Sequence, residues 1–348
     1  VGHGVTEHVV RTERHSTFYL ACGPEDGPLI VFVHGWPELS ASWRHQLPCF
    51  GNLGFRAVAP DMRGYGRSSI YRRHEDYAVE HSVADMLELL DGLHRDQAIW
   101  VGHDWGSPVV WSLASHHPER CRAVANLCVP YLPKGFVPND VIALVNRDLY
   151  PVSEFPAGQW EYMLFYQENF EAATRCFEAN IANTVKALFR SGSLKRKGKP
   201  ARTALVRKDH GWFDGAGQAP DVPIDVAVLT DEDFHKYVSA LERNGFFGPD
   251  SWYMNADRNA AYASASRDSG RLRLPVLFLH GAYDYTCDTV SSHLAEPMRT
   301  ECCDLTEVTV ASGHWMAQEK PETVNAALVR WVATRFPSLW PQMKGRGA

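Results

Sequence analysis

The chemistry in this chain begins at Gly102-His103-Asp104-Trp105-Gly106. Two glycines flank one central residue at the spacing of a tight turn from strand to helix. Small neighbours relieve the crowding there, and the central side chain stands exposed above the strand end. That central residue is an aspartate. A carboxylate is already ionised at neutral pH and attacks without help from a base. Attack on an ester carbonyl would give a mixed anhydride, an unfavourable route. Attack on a saturated carbon gives an ordinary alkyl ester. The motif therefore predicts a substrate with a leaving group on sp³ carbon and a second step in which water hydrolyses the ester.

The second step needs a base, a partner that orients it and donors for a developing oxyanion. Ser312-Gly313-His314-Trp315 offers His314 as the base. Phe278-Leu279-His280-Gly281-Ala282-Tyr283-Asp284 offers Asp284 as its partner, with Asp288 as a second candidate. The chain order is nucleophile, acid, histidine. His34-Gly35-Trp36-Pro37 follows a short apolar run. Its expected role is to supply the Trp36 backbone N–H to an oxyanion hole shared with the Trp105 N–H. A cis Trp36-Pro37 bond is expected in so tight a functional turn. Any one of these fragments is weak evidence; their joint occurrence, in order and each at a strand end, points to catalysis.

Those strand ends must come from a sheet. Leu29–Val33 is β-branched and apolar throughout and reads as a strand buried on both faces. Phe55–Pro60, Gln97–Val101, Ala123–Val129, Pro275–Leu279 and Leu305–Val310 read as further strands. Glu80–Leu93 and Val324–Thr334 carry apolar residues at helical spacing. Strands alternating with helices predict an α/β fold, a mostly parallel doubly wound sheet with helices on both faces. Between about residues 131 and 270 the pattern changes to aromatic-rich helices: Trp160–Tyr166, Phe177–Phe189 and Thr230–Asn244. Thr230 and Asp233 stand at capping-box spacing and Asn244-Gly245 supplies a stop. The expected organisation is a core of residues 1–132 and 271–348 with an inserted helical cap, or lid, at 133–270.

Composition narrows the function classes. A net charge of −6 gives no support to nucleic-acid or membrane-surface binding. The basic run Lys195–Arg202 is expected to be a solvated loop. Eight scattered cysteines, with no CxxC and no zinc spacing, suggest free thiols in a reducing, cytoplasmic setting, with no metal or other cofactor. No run approaches the roughly 18 apolar residues of a membrane span, and Val1–His8 lacks a signal-peptide core.

With these residues in view, the spacing of the aspartate turn resembles that of α/β-hydrolases, and nearly the whole chain, about residues 8 to 337, resembles the epoxide hydrolases of that superfamily. The likeness is carried by His34-Gly35-Trp36-Pro37-Glu38, by Asp61-Met62-Arg63-Gly64-Tyr65-Gly66-Arg67-Ser68-Ser69 and by Gly102–Gly106. It implies opening of an epoxide to a vicinal diol through an ester on Asp104. It also implies two cap tyrosines that protonate the epoxide oxygen, at the matching positions Tyr162 and Tyr253, with Tyr166 one helical turn from Tyr162 as a competitor. The implied partners are a small apolar epoxide and water, with the chain a monomer or homodimer. Departures from the family are Trp36 where Phe is commoner and Ser107 where a second Gly is frequent. His103 precedes the nucleophile in the family as well and receives no chemistry. The competing readings are a haloalkane or haloacetate dehalogenase and a ligand-binding receptor on the same fold. Trp36 stands where haloalkane dehalogenases usually place Asn, and Trp105 where haloacetate dehalogenases usually place Arg. An intact nucleophile, acid and histidine argue against a receptor.

Overall fold

A computed structural model of the chain describes residues 4–340. Residues 1–3 and 341–348, which the sequence reading included in the core segments and in the N-terminal reading, lie outside the described part. Eight strands form one sheet: β1 (Thr6–Arg11), β2 (Ser16–Cys22), β3 (Leu29–Val33), β4 (Arg56–Pro60), β5 (Ala98–His103), β6 (Cys121–Leu127), β7 (Val276–Gly281) and β8 (Leu305–Val310). Their order is β1-β2-β4-β3-β5-β6-β7-β8. β1 and β2 pair antiparallel, as do β2 and β4; every other neighbouring pair is parallel.

The central strands explain themselves. All residues of β3, β4, β5 and β7 are buried. Helices on both faces leave no polar side, so these strands read as unbroken apolar runs. Each fully buried Val, Leu, Ile or Phe stabilises the fold by about 1.5–3 kcal/mol relative to exposure. The first two strands, which form the antiparallel end of the sheet, escaped the sequence reading. β1 is largely exposed, and its residues Thr-Glu-His-Val-Val-Arg carry no apolar run.

Between β6 and β7 the described chain is helical and free of named strands. The helix expected at Trp160–Tyr166 runs on as Glu161–Glu178, with a non-helical residue at Asn169 (φ −141°, ψ 44°). It therefore takes in Phe177, and the next helix begins only at Ile181, capped by Asn180. Thr230 caps the Asp231–Asn244 helix with the expected reciprocal box to Asp233, and Gly245 ends it at φ 71°. The turns that carry Trp36, Asp104 and Asp284 follow the C-terminal ends of β3, β5 and β7. That edge is where open α/β sheets place their ligands. No helix among the described residues is long and apolar enough to cross a membrane.

Candidate active site

β5 ends at His103 and a helix begins at Gly106, so Asp104 occupies the turn itself. Its φ is +50°, a region that non-glycine residues rarely adopt. The turn is packed to contact. A Cβ on Gly106 would collide with the Val33 carbonyl, and a Cβ on Gly35 would collide with Asp104 Oδ1 and the Trp105 amide nitrogen. The Trp36 and Trp105 amides and the Asp104 carboxylate thus share one small space. The Trp36 N–H donates to Asp104 Oδ1 at 2.6 Å, and the Trp36-Pro37 bond is cis.

Asp104 Oδ2 faces His314 Nε2 at 3.3 Å, and His314 Nδ1 donates to Asp284 Oδ2 at 2.7 Å. Asp284 is held as an acceptor: its Oδ1 takes the Thr286 and Cys287 amides at 3.2 and 2.9 Å. Burial would raise the Asp284 carboxyl, but the His314 charge and these bonds hold it below the usual range. Burial would likewise lower His314, but Asp284 and Asp104 together push it well above the ordinary imidazole value. The ring therefore sits between two carboxylates that favour its protonated form. Asp288, the second candidate, accepts instead from the Val290 and Ser291 amides at 3.0 and 2.8 Å and closes a local turn.

A cavity of about 1350 Å³ opens over this group and is lined by Asp104, His314, Asp284, Trp36, Tyr162 and Tyr253. The Tyr162 and Tyr253 rings lie 5.6 Å apart and nearly perpendicular at 76°. Burial pushes both phenols well above their usual range, so they are neutral donors at neutral pH. Tyr166 does not line that cavity. Its ring stacks behind Tyr253 at 4.4 Å and 10°, and its hydroxyl is buried. Geometry thus separates the two tyrosines that sequence spacing left in competition. The Lys195–Arg202 run lies in part along the outer wall, where Lys195, Arg196 and Arg202 line the same opening.

Sequence reasoning gave His103 no task, yet it is bonded on both sides. Nδ1 meets Glu38 Oε2 at 2.8 Å and Nε2 meets the His314 carbonyl at 2.7 Å. Both partners accept, so both ring nitrogens carry protons. Burial opposes this, but Glu38 lifts His103 to about 10. Glu38 also accepts the Gly35 amide at 2.9 Å. One buried ion pair therefore ties the Trp36 loop, the aspartate turn and the His314 loop together. The signal lay in Glu38, the last residue of the His34-Gly35-Trp36-Pro37-Glu38 run, which a reading confined to the reacting groups passes over. The Asp61–Ser69 segment is structural in the same sense. Asp61 accepts the Ser40 and Arg67 amides, and Arg63 forks onto Asp85 at 2.7 and 2.8 Å. Among the described residues, two sets of side chains, His103/Cys128/His314 and Asp284/Cys287/His314, lie close enough to hold a metal ion. Burial keeps the Cys287 thiol protonated, which makes it a poor ligand.

The family described as alpha/beta hydrolase fold matches residues 28–321. Epoxide hydrolase A of Mycobacterium tuberculosis is 32% identical over 337 residues, covering 94% of this chain and 97% of that protein. Bifunctional epoxide hydrolase 2 of Sus scrofa is 32% identical over 318 residues, and the match spans 88% of this chain but only 52% of that longer protein. The crystal structure of epoxide hydrolase A from Mycobacterium thermoresistibile superposes with a TM-score of 0.78 at 31% identity, covering 94% of this chain and 98% of that one. This chain belongs to the epoxide hydrolases of the α/β-hydrolase fold.

Proposed function

We propose that this enzyme hydrolyses epoxides to vicinal diols through a covalent ester on Asp104. The observation that carries the reading is the continuous chain Asp104–His314–Asp284 facing two neutral tyrosine hydroxyls across one cavity. Tyr162 and Tyr253 hold the epoxide oxygen. Asp104 Oδ2, the oxygen not bound by the Trp36 amide, attacks the ring carbon. The C–O bond breaks and one tyrosine gives its proton to the alkoxide. Loss of the Asp104 charge removes one of the influences that keep His314 protonated; the ring gives up that proton, which replaces the one the tyrosine donated, and is then free to act as a base. It takes a proton from water, whose oxygen adds to the Asp104 carboxyl carbon. Charge then develops on Oδ1, beside the Trp36 and Trp105 amides. Collapse breaks the ester C–O bond, the departing alkoxide takes the proton that His314 drew from water and leaves as the diol, and transfer of the remaining carboxyl proton to His314 restores the carboxylate.

Two observations favour an epoxide over a haloalkane or haloacetate. A departing halide needs N–H donors and no proton, but the Trp36 indole N–H is committed to Asp250 at 2.9 Å. The Trp105 indole N–H is buried without a hydrogen-bond partner, but Trp105 is not among the residues lining the cavity. Residues 133–270 serve in this reading as the cap that carries both tyrosines. A small, largely apolar epoxide suits the aromatic walls, and the eight free cysteines suit a reducing, cytoplasmic setting. The test is a panel of aryl, alkyl and fatty-acid epoxides beside haloalkanes, scored for diol and halide. Diol is expected, and halide release without diol would reverse the choice.

A further inference from the structure

Asp250 is a buried acid that the steps above do not use. It is 0% exposed and sits in the short helix Phe247–Ser251, three residues before Tyr253. Both carboxyl oxygens have donors from distant segments. Oδ1 accepts the Trp36 indole N–H at 2.9 Å, and Oδ2 accepts the Thr174 hydroxyl at 3.0 Å. Thr174 lies on the Glu161–Glu178 helix, which also carries Tyr162 and Tyr166. The Tyr166 hydroxyl, buried without a hydrogen-bond partner, lies near the same carboxyl, and its ring stacks on Tyr253. One side chain thus joins the loop that presents the amide to Asp104, the helix that presents Tyr162 and the turn that presents Tyr253.

Burying a carboxyl at such a junction is unfavourable unless its partners are satisfied. The sequence suggests why it is there. Trp36 stands where phenylalanine is commoner, and an indole brings an N–H that needs an acceptor in a closed interior. We propose that Asp250 is a positioning residue, a clamp that fixes the Trp36 indole, and with it the Trp36 amide aimed at Asp104 Oδ1, to the segments bearing Tyr162 and Tyr253. This rests on the reading of the site as one that opens epoxides. Burial also pushes Asp250 up to about 8. That shift favours the neutral acid, which adds no second negative charge to the site.

The two catalytic steps make the clamp separable from packing. The Trp36 amide matters most when charge develops on Oδ1, in ester hydrolysis, whereas the tyrosines act in ring opening. A misplacement of about 1 Å costs on the order of 10²-fold. With an aryl epoxide in single-turnover stopped flow, Asp250→Leu should slow ester decay by at least about tenfold. Ring opening should slow less, and an ester should accumulate on Asp104 in intact-mass spectra. Asp250→Asn keeps an acceptor for the indole and should restore most of the rate. Trp36→Phe keeps the amide and removes the indole donor, so it should show the same selective loss even if the Asp250→Leu chain does not fold. Ester decay at the wild-type rate in folded Asp250→Leu, or in Trp36→Phe, would overturn the clamp. Absence of diol from the wild-type enzyme would instead defeat the functional reading.

Discussion

The backbone N–H of Trp36 and the carboxylate of Asp104, 68 positions apart in the chain, are joined by a hydrogen bond of 2.6 Å. It links the ends of two adjacent parallel strands, β3 and β5. One oxygen of the Asp104 carboxylate is thereby occupied and the other left to face His314. That division of labour within one carboxylate underlies the predictions that follow.

Removing the nucleophile and removing the base should give different kinds of dead enzyme. Asp104→Ala should lower turnover by roughly 10⁴-fold or more and leave no adduct. His314→Gln should still open the ring but fail to hydrolyse the ester, so the chain should gain one substrate mass. Mass spectrometry of both variants after incubation with an epoxide checks this. An unmodified His314→Gln chain that nonetheless binds substrate would count against the two-step route.

The tyrosines should matter before the ester forms. Tyr253→Phe and Tyr162→Phe should each slow ring opening by about 10²-fold, within the range for a lost general acid. The double variant should be slower than either single one, with the decay of any ester formed little changed. Tyr166→Phe should have a much smaller effect, because its hydroxyl lies outside the cavity. Rapid-quench measurement of ester formation decides, and an unaffected rate in Tyr253→Phe would reject its donor role.

The pH dependence of ester decay follows from His314. Its pKa is raised by Asp284 and Asp104 against the pull of burial. In the ester Asp104 is uncharged, so the value falls from that of the resting site while Asp284 still supports it. Decay of pre-formed ester should rise with pH as the ring loses its proton and then level off. A rate that falls over that rise would contradict the assignment.

His103 and Glu38 predict a pH window for stability. His103 is raised from 6.5 to about 10 in the fold. Its contribution is fully present below its unfolded value and is lost as pH climbs through about 10. Glu38 is lowered from 4.5, chiefly by His103 against the cost of burial. Its contribution is present above 4.5 and is lost as pH falls through the lower folded value. The pair should therefore stabilise most between about 4.5 and 6.5. His103→Gln should lower Tm most in that window and least near pH 10, as thermal melts across pH would show. A uniform loss would mean that the pair acts through packing alone.

Much of the sheet and of the proposed reacting set was legible beforehand because both are written locally. A parallel strand buried on two faces must be an apolar run, as β3 is, and β8, a partly exposed edge strand, fell on the expected residues through its alternation of apolar and polar residues. The aspartate turn declares itself through two glycines, and Asp284 and His314 follow strand ends in order. The residues that were not legible act across long separations. β1 is a largely exposed antiparallel edge strand whose polar pattern resembles a loop, whereas β2 is mostly buried and its apolar stretch Phe18–Cys22 was readable but passed over. Glu38 and His103 meet only because β3 and β5 are neighbours. Asp250 finds Trp36 from 214 positions away, and the only hint was an indole where a phenyl ring would need no partner. The choice between Tyr162 and Tyr166 was closed to periodicity, since both lie on one helical face. What separates them is that Tyr166 packs flat behind Tyr253 while Tyr162 reaches the cavity.

The central claim is that an Asp104 oxygen enters the product. A single turnover in heavy-oxygen water, with enzyme in excess, tests it most directly. The account predicts that the first diol carries unlabelled oxygen at the attacked carbon and that the label appears in the peptide containing Asp104. Label in the first diol, with Asp104 unlabelled, would contradict it.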